Sequence, residues 1–338
     1  MTPELTFFCE LDAADLQALF SDPQILEDLR ALDAGVSLGL RDLSPERAEI
    51  VRRLNAAGIP VVAWLLLPEA QGYWFNLDNA PEAIAFYADF RAWTATHGLQ
   101  WDGVGLDIEP DMRELKKLLG GDRRALLTLL RRFMDAERLK RARDHYAGLI
   151  AQIRADGYRV DEYAIPFIVD EHQVGSQLVQ RFLGLVDLEV DREVLMLYSS
   201  FMRPFGPGLL WSYAPSAESV AVGSTGGGVD VGGVDQIPPL TWDEFARDLR
   251  LAHAWSDTIH VFSLEGVVRQ GYLSRLLAFD WDAPITPPLR EFRQVERARQ
   301  ALRAVLWTSV HPGAVLAGAV ALFWLISRLT RKKAQRRQ

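Results

Sequence analysis

The chain has 338 residues, of which 45 are Asp or Glu and 37 are Lys or Arg, so its formal net charge is −8. With 49 % hydrophobic and 24 % charged residues it can bury a large core, which excludes a chain disordered throughout. The acidic balance disfavours nucleic acid as a partner. The only cysteine, Cys9, excludes a disulfide framework and a multi-cysteine metal site.

Short apolar runs alternate with helical patterns from residue 5 to residue 285. Nearly every position in these runs is apolar, which predicts strands covered on both faces. The eight predicted strands are Thr6–Glu10, Val36–Leu40, Val61–Leu66, Val104–Glu109, Tyr163–Val169, Val194–Tyr198, Ser219–Gly223 and Thr258–Ser263. Eight strand–helix units predict an α/β fold, a (β/α)8 TIM barrel over residues 1–287. A doubly wound sheet is the weaker alternative, since no Gly-rich fingerprint follows the first strand.

The C-terminal residues predict a different organisation. A basic juxtamembrane helix or linker, residues 288–303, precedes residues 304–327, which contain no Asp, Glu, Lys or Arg. Such a run is long enough to cross about 30 Å of hydrocarbon as a helix. We therefore expect one transmembrane helix over residues 304–327, in contact with the lipid bilayer, and a basic tail over residues 328–338. A buried helix of a soluble fold is the alternative.

The N-terminal segment lacks the basic start and the uninterrupted apolar run of a signal peptide. The sequence therefore predicts a single-pass C-terminal membrane anchor with the barrel on the cytoplasmic side. Basic residues flank the apolar run on both sides, so the charge rule leaves the topology open.

In a barrel of this kind the chemistry lies at the carboxyl ends of the strands. Acidic and aromatic residues dominate these ends, which disfavours a phosphorylated substrate, and aromatic rings can stack on the faces of sugars. We interpret the Gly-rich residues 223–233 as a loop over the mouth, because they include no Lys or Arg to hold phosphate. The residues predicted to bind a carbohydrate substrate are Glu10, Tyr73, Trp74, Asp170, Trp211 and Glu265.

The sharpest signal is WDGVGLDIEPD at residues 101–111. Alternate residues of a strand share a face, so Gly105, Asp107 and Glu109 should point the same way. Like charge and burial would raise one carboxyl pKa and leave a proton to donate near neutral pH. Glycoside cleavage needs such an acid. The alternative is a pair of ordinary carboxylates at a strand end.

Residues Asp102–Glu109, DGVGLDIE, resemble the DGxDxDxE strand of glycoside hydrolase family 18, the chitinase-like enzymes. Met196-Leu-Tyr198 is similar to that family's Met-x-Tyr segment. The resemblance implies a (β/α)8 barrel and substrate-assisted hydrolysis of an N-acetylhexosaminide without a cofactor. It implies that Glu109 protonates the leaving oxygen and that Asp107 orients the acetamide, whose oxygen attacks the anomeric carbon. Tyr198 would hydrogen-bond that acetamide.

Three positions depart from the family pattern. Gly105 replaces the first aspartate of the DxDxE part, Ser199 follows Tyr198, and the eighth strand offers Phe262 instead of a floor tryptophan. Lysozyme-type glycosidases of the family 25 kind also carry Asp-x-Glu on a barrel strand and remain an alternative. Retaining enzymes with two glutamates fit less well, because the seventh strand ends in Gly223 without a carboxylate.

Two functions from different classes remain open. The first is a membrane-anchored glycoside hydrolase that acts on an N-acetylhexosamine-containing glycan, so the chain is expected to be an enzyme. The second is a catalytically weak barrel that binds a glycan or glycolipid. No metal site is expected, because the six histidines form no HxH or HExxH pattern.

Overall fold

Eight parallel strands close into a barrel in the computed structural model, which describes residues 2–119, 135–228, 237–318, 320 and 323–324. Each strand pairs with the next along the chain, and the eighth pairs with the first. The strands are β1 Glu4–Cys9, β2 Gly35–Leu40, β3 Val61–Leu65, β4 Gly103–Asp107, β5 Arg159–Ala164, β6 Arg192–Met196, β7 Ser219–Gly223 and β8 Thr258–Phe262. The predicted TIM barrel is therefore confirmed.

The helices surround the barrel and begin at local capping signals. Ser44 accepts a hydrogen bond from the Arg47 backbone N–H, and Thr241 forms a capping box with Glu244. The helices are α1 Ala13–Leu19, α2 Pro23–Ala31, α3 Pro45–Ala56, α4 Ala80–His97, α5 Met112–Leu119, α6 Ala136–Ala155, α7 Phe167–Val174, α8 Leu178–Leu183, α9 Gly206–Tyr213, α10 Trp242–His253, α11 Leu264–Arg269, α12 Leu273–Leu276 and α13 Leu289–Val310.

The fifth strand is β5, Arg159–Ala164, and the predicted strand Tyr163–Val169 is wrong. The true strand is polar: Arg159 pairs with Asp161 at 2.8 Å, and Glu162 is buried. The apolar residues that follow belong to α7, which starts after Pro166. Asp170 is therefore on a helix, and not at the end of a strand.

The C-terminal run does not form the predicted transmembrane helix. Residues 304–310 belong to α13, which packs against α7 and α9, and Leu306 is buried there. This helix ends at His311, and a separate helical stretch begins at Pro312. In the described part of the chain, no helix has the length and the apolar character needed to span a membrane. The predicted single-pass anchor is therefore wrong; the basic tail, residues 328–338, lies outside the described residues.

The predicted juxtamembrane segment, residues 288–303, also falls within α13 and lies on the barrel. Arg299 is buried, forms an ion pair with Asp170 at 3.0 Å and lies over the ring of Tyr213. Arg299, one of the basic residues of this segment, therefore fastens α13 to α7 and α9.

Aromatic rings fill the barrel interior beneath the carboxyl ends of the strands. The Phe8 ring makes edge contacts with Trp64 and Tyr163, at centroid distances of 5.2 and 4.7 Å. Met196 and Tyr73 belong to the same buried cluster. Packed rings thus fill the interior directly below the mouth.

Candidate active site

Asp107, the last residue of β4, and Glu109, two residues beyond it, lie together at the mouth. The backbone around them is held by the segment after β3: the Phe75 N–H donates to the Asp107 carbonyl at 2.9 Å, and the Glu109 N–H donates to the Phe75 carbonyl at 3.1 Å. These bonds extend the strand geometry past Asp107. Alternate residues of one extended segment share a face, so the two carboxyl side chains lie close enough for their charges to interact.

Burial raises the pKa values of both carboxyl groups of this pair. The Asp107 side chain is 2 % exposed. Burial and then the charges of Glu109 and Glu10 raise its pKa well above the usual range. Burial also raises the pKa of Glu109, to about 7, against the opposing effect of Asp107. Ionising two neighbouring carboxyl groups at once is unfavourable, so the pair retains a proton near neutral pH.

Glu10, directly after β1, is a third carboxyl group at the mouth. The Tyr73 hydroxyl donates a hydrogen bond to Glu10 Oε1 at 2.6 Å. Burial raises the pKa of Glu10 to about 8, and the nearby Arg41 opposes that rise. Tyr73 reaches this position with a φ of 69°, a left-handed conformation that is costly for a non-glycine residue. The structure therefore places both Glu10 and Tyr73 beside the Asp107–Glu109 pair.

Tyr198 reaches the same mouth from beyond β6. Its ring packs against Phe262 and Phe201, at centroid distances of 5.4 and 5.7 Å. Burial and then the charges of Asp107 and Glu109 raise the pKa of its phenol, so the hydroxyl stays protonated and able to donate. The three residues to which the family resemblance gives catalytic roles are thus neighbours in space.

Glu265, in the first turn of α11, lies beneath the loop that follows β7. Its Oε1 accepts a hydrogen bond from the Gly228 N–H at 3.3 Å. Gly228 has a φ of 88°, and a Cβ added there would lie 2.9 Å from Glu10 Oε2. Only glycine lets the backbone approach the carboxyl groups this closely. Residues 223–228 therefore lie over Glu10 and Glu265, while residues 229–233 of the Gly-rich run are outside the described residues.

The predicted aromatic residues divide between the two ends of the barrel. Trp74 is buried beside Tyr73, with ring centroids 5.5 Å apart, next to the mouth. Trp211 packs against Trp255, at 5.2 Å, and Trp255 lies three residues before the start of β8. Trp211 therefore lies at the amino end of the barrel, because α9 runs back from the mouth.

Asp170 also lies away from the mouth residues. Its carboxylate is fully buried, accepts hydrogen bonds from Arg299 and Tyr213, and joins α7 to α9 and α13. The displaced fifth strand explains this outcome, since the prediction placed Asp170 at a strand end. The structure thus does not bring Asp170 or Trp211 together with the other predicted site residues.

Sequence reasoning missed Trp64, whose indole N–H donates to Asp107 Oδ2 at 3.1 Å. A tryptophan in an apolar strand looks like a core residue, and Trp64 is indeed buried. The sequence carries no signal for this bond, because it depends on the register that places Trp64 opposite Gly105, two residues before Asp107. For metals, no group of three or more His, Cys, Asp or Glu side chains within the described residues could hold an ion.

No family model matches the sequence, and no curated protein matches it. Among solved structures, the chain is similar to the glycoside hydrolase domain of PgaB (BpsB) from Bordetella bronchiseptica, with a TM-score of 0.51 and 10 % identity over 82 % of this chain and 98 % of that one. It is less similar to a mutant tryptophan synthase α-subunit from Pyrococcus furiosus, with a TM-score of 0.41 and 15 % identity over 82 % of this chain and 98 % of that one. HMG-CoA lyase from Brucella melitensis has a TM-score of 0.41 and 12 % identity over 90 % of this chain and 99 % of that one. The likeness to the PgaB domain shows a shared TIM-barrel fold.

Proposed function

We propose that the protein is a glycoside hydrolase that cleaves an N-acetylhexosamine-containing glycan by substrate-assisted acid–base catalysis. The observation that carries this proposal is the Asp107–Glu109 pair, a buried and a half-buried carboxyl group that interact at the carboxyl ends of the barrel strands. The fold shared with a glycoside hydrolase domain is compatible with it.

In the first step, Glu109 gives its proton to the glycosidic oxygen as the bond from that oxygen to the anomeric carbon breaks. The carbonyl oxygen of the substrate's own acetamide attacks the anomeric carbon and forms a cyclic oxazolinium ion. In the second step, water adds to the anomeric carbon, the oxazolinium ring reopens, and Glu109 takes a proton from the water. The proton given in the first step is thus recovered, and the net reaction consumes one water.

Asp107 and Tyr198 have the polar atoms that the acetamide needs. Asp107 Oδ1 is buried and accepts no hydrogen bond from an N–H or hydroxyl group among the described residues. A buried acceptor without a donor is unfavourable, and the acetamide N–H of a bound sugar would supply one. The Tyr198 hydroxyl, which stays protonated, can donate to the acetamide oxygen. The acetamide would therefore lie between these two side chains.

The test is turnover of chito-oligosaccharides by the wild type and by Glu109→Gln. The variant should lower kcat by at least about 10²-fold, the usual size of general-acid effects. Glu49→Gln is a matched control, because Glu49 is exposed on α3 and pairs only at the surface with Arg52. Equal turnover by wild type and Glu109→Gln would remove Glu109 from the mechanism. Tight glycan binding without turnover by the wild type would instead favour the glycan-binding barrel.

A further inference from the structure

The Trp64 side chain lies directly below Asp107 in the barrel interior. Trp64 on β3 is in register with Gly105 on β4, and its indole N–H points up to Asp107 Oδ2, 3.1 Å away. The indole is 3 % exposed and packs against the rings of Phe8 and Tyr163, at centroid distances of 5.2 and 5.9 Å. These contacts leave the indole little freedom, so its N–H is aimed at one carboxylate oxygen.

Gly105 has no room for a side chain. A Cβ at this position would overlap the hydroxyl oxygen of Tyr163. That hydroxyl is itself fixed by a hydrogen bond to Ser37 Oγ at 2.6 Å. The place where the family 18 motif carries its first aspartate is therefore filled from a neighbouring strand, by Tyr163 of β5, while Trp64 of β3 supplies a hydrogen-bond donor to Asp107.

This exchange changes the chemistry below Asp107. An aspartate there could both accept and release a proton, whereas an indole N–H only donates a hydrogen bond. Trp64 therefore stabilises the carboxylate form of Asp107 and occupies Oδ2, but it cannot share a proton. The partner that can share a proton with Asp107 is Glu109.

We propose that Trp64 is the positioning residue for Asp107: its indole N–H fixes Oδ2 and thereby presents Oδ1 toward the bound substrate. Trp64 thus takes over the orienting part of the role that the missing aspartate has in the family motif, and Gly105 is small because Tyr163 uses its space. The consequence for catalysis rests on the proposed function, but the hydrogen bond can be tested without turnover.

The direct test is a pH titration of the indole N–H signals by ¹H–¹⁵N NMR, with Trp64→Phe to assign the Trp64 signal. The signal should move with the ionisation of Asp107 in the wild type and should lose that transition in Asp107→Asn. Trp101 is the matched internal control, because its N–H donates to the neutral Thr94 hydroxyl at the same distance, 3.1 Å. A Trp64 signal that does not titrate, or that titrates unchanged in Asp107→Asn, would overturn the proposal.

The kinetic test compares Trp64→Phe, which keeps an aromatic ring but removes the donor, with Trp101→Phe. The other titratable groups that act on Asp107 stay in place, and they are Glu10, Tyr73, Glu109, Tyr163 and Tyr198. Losing a donor that favours the carboxylate should move the acid limb of the kcat profile upward by about one pH unit and lower kcat about tenfold, with little change in KM.

Two outcomes distinguish a positioning role for Trp64 from simple filling of the barrel interior. An unchanged acid limb in Trp64→Phe would mean that Trp64 only fills space, which contradicts the proposal. If neither wild type nor variants hydrolyse any N-acetylated glycan, the proposed function fails, and the NMR titration still decides whether Trp64 positions Asp107.

Discussion

Glu109 should lose its proton only at a pH well above the one at which an ordinary carboxyl group ionises. Burial raises the pKa of Glu109 from 4.5 to about 7. At pH 7 about half of the molecules then carry the proton, roughly 10²-fold more than for an unperturbed glutamate. The raised pKa is therefore what makes general-acid catalysis effective at neutral pH.

The assay is kcat for chito-oligosaccharide hydrolysis between pH 4 and pH 9. Since Glu109 must be protonated to act, kcat should fall as the pH rises through about 7. The apparent pKa belongs to the Asp107–Glu109 pair, because the two groups titrate together. The exposed-site control Glu49→Gln should keep the same alkaline limb. An alkaline limb near pH 4.5, or one that persists in the residual activity of Glu109→Gln, would refute the reasoning.

Three further predictions concern stability, each measured by urea unfolding. The pKa of Glu10 is about 8 in the folded state and about 4.5 in the unfolded state, so the wild type loses stability as the pH rises from about 4.5 to 8. Relative to the wild type, the stability of Glu10→Gln should therefore increase by up to about 4 kcal/mol between pH 5 and pH 8.5. An equal stability difference at both pH values would contradict this. Arg299→Met removes the nearer of two cations on the buried Asp170 carboxylate and should cost about 3 kcal/mol, the low end for a broken buried pair because Arg303 remains 3.6 Å from Asp170; most of the cost should be recovered in the double variant with Asp170→Asn, and no recovery would show that charge pairing is not the cause. Gly105→Ala should cost about 1–3 kcal/mol by collision with the Tyr163 hydroxyl, and a smaller cost in a Tyr163→Phe background would confirm that source.

The sequence predicted the barrel and its acidic mouth because both depend on local patterns. Strands covered on both faces are apolar at almost every position, and Asp107 ends one such strand, with Glu109 two residues further on in the same short motif. The prediction failed at β5 because this strand is polar. Arg159 forms an ion pair with Asp161, and Glu162 is buried, so the strand has no apolar signature. The error shifted Asp170 from a helix to a strand end.

The C-terminal apolar run and Gly105 also depend on contacts between residues that are distant in the sequence. Hydropathy alone cannot show that the residues around Leu306 pack on the barrel, or that the apolar run breaks at His311. Likewise, the reason for Gly105 lies in another strand, since Tyr163 occupies its space only after the barrel closes. A single-sequence pattern identifies which residue departs from a motif, whereas the packed structure shows what takes its place.

The most direct test of the central claim, that Glu109 protonates the leaving oxygen while Asp107 holds the acetamide, uses two leaving groups. Chito-oligosaccharides need a proton on the departing oxygen, whereas 2,4-dinitrophenyl N-acetylglucosaminide does not, because dinitrophenolate leaves unaided. Glu109→Gln should lose at least about 10²-fold in kcat on the first substrate and far less on the second, while Asp107→Asn should lose activity on both. An equal loss on both substrates for Glu109→Gln would contradict its role as the acid.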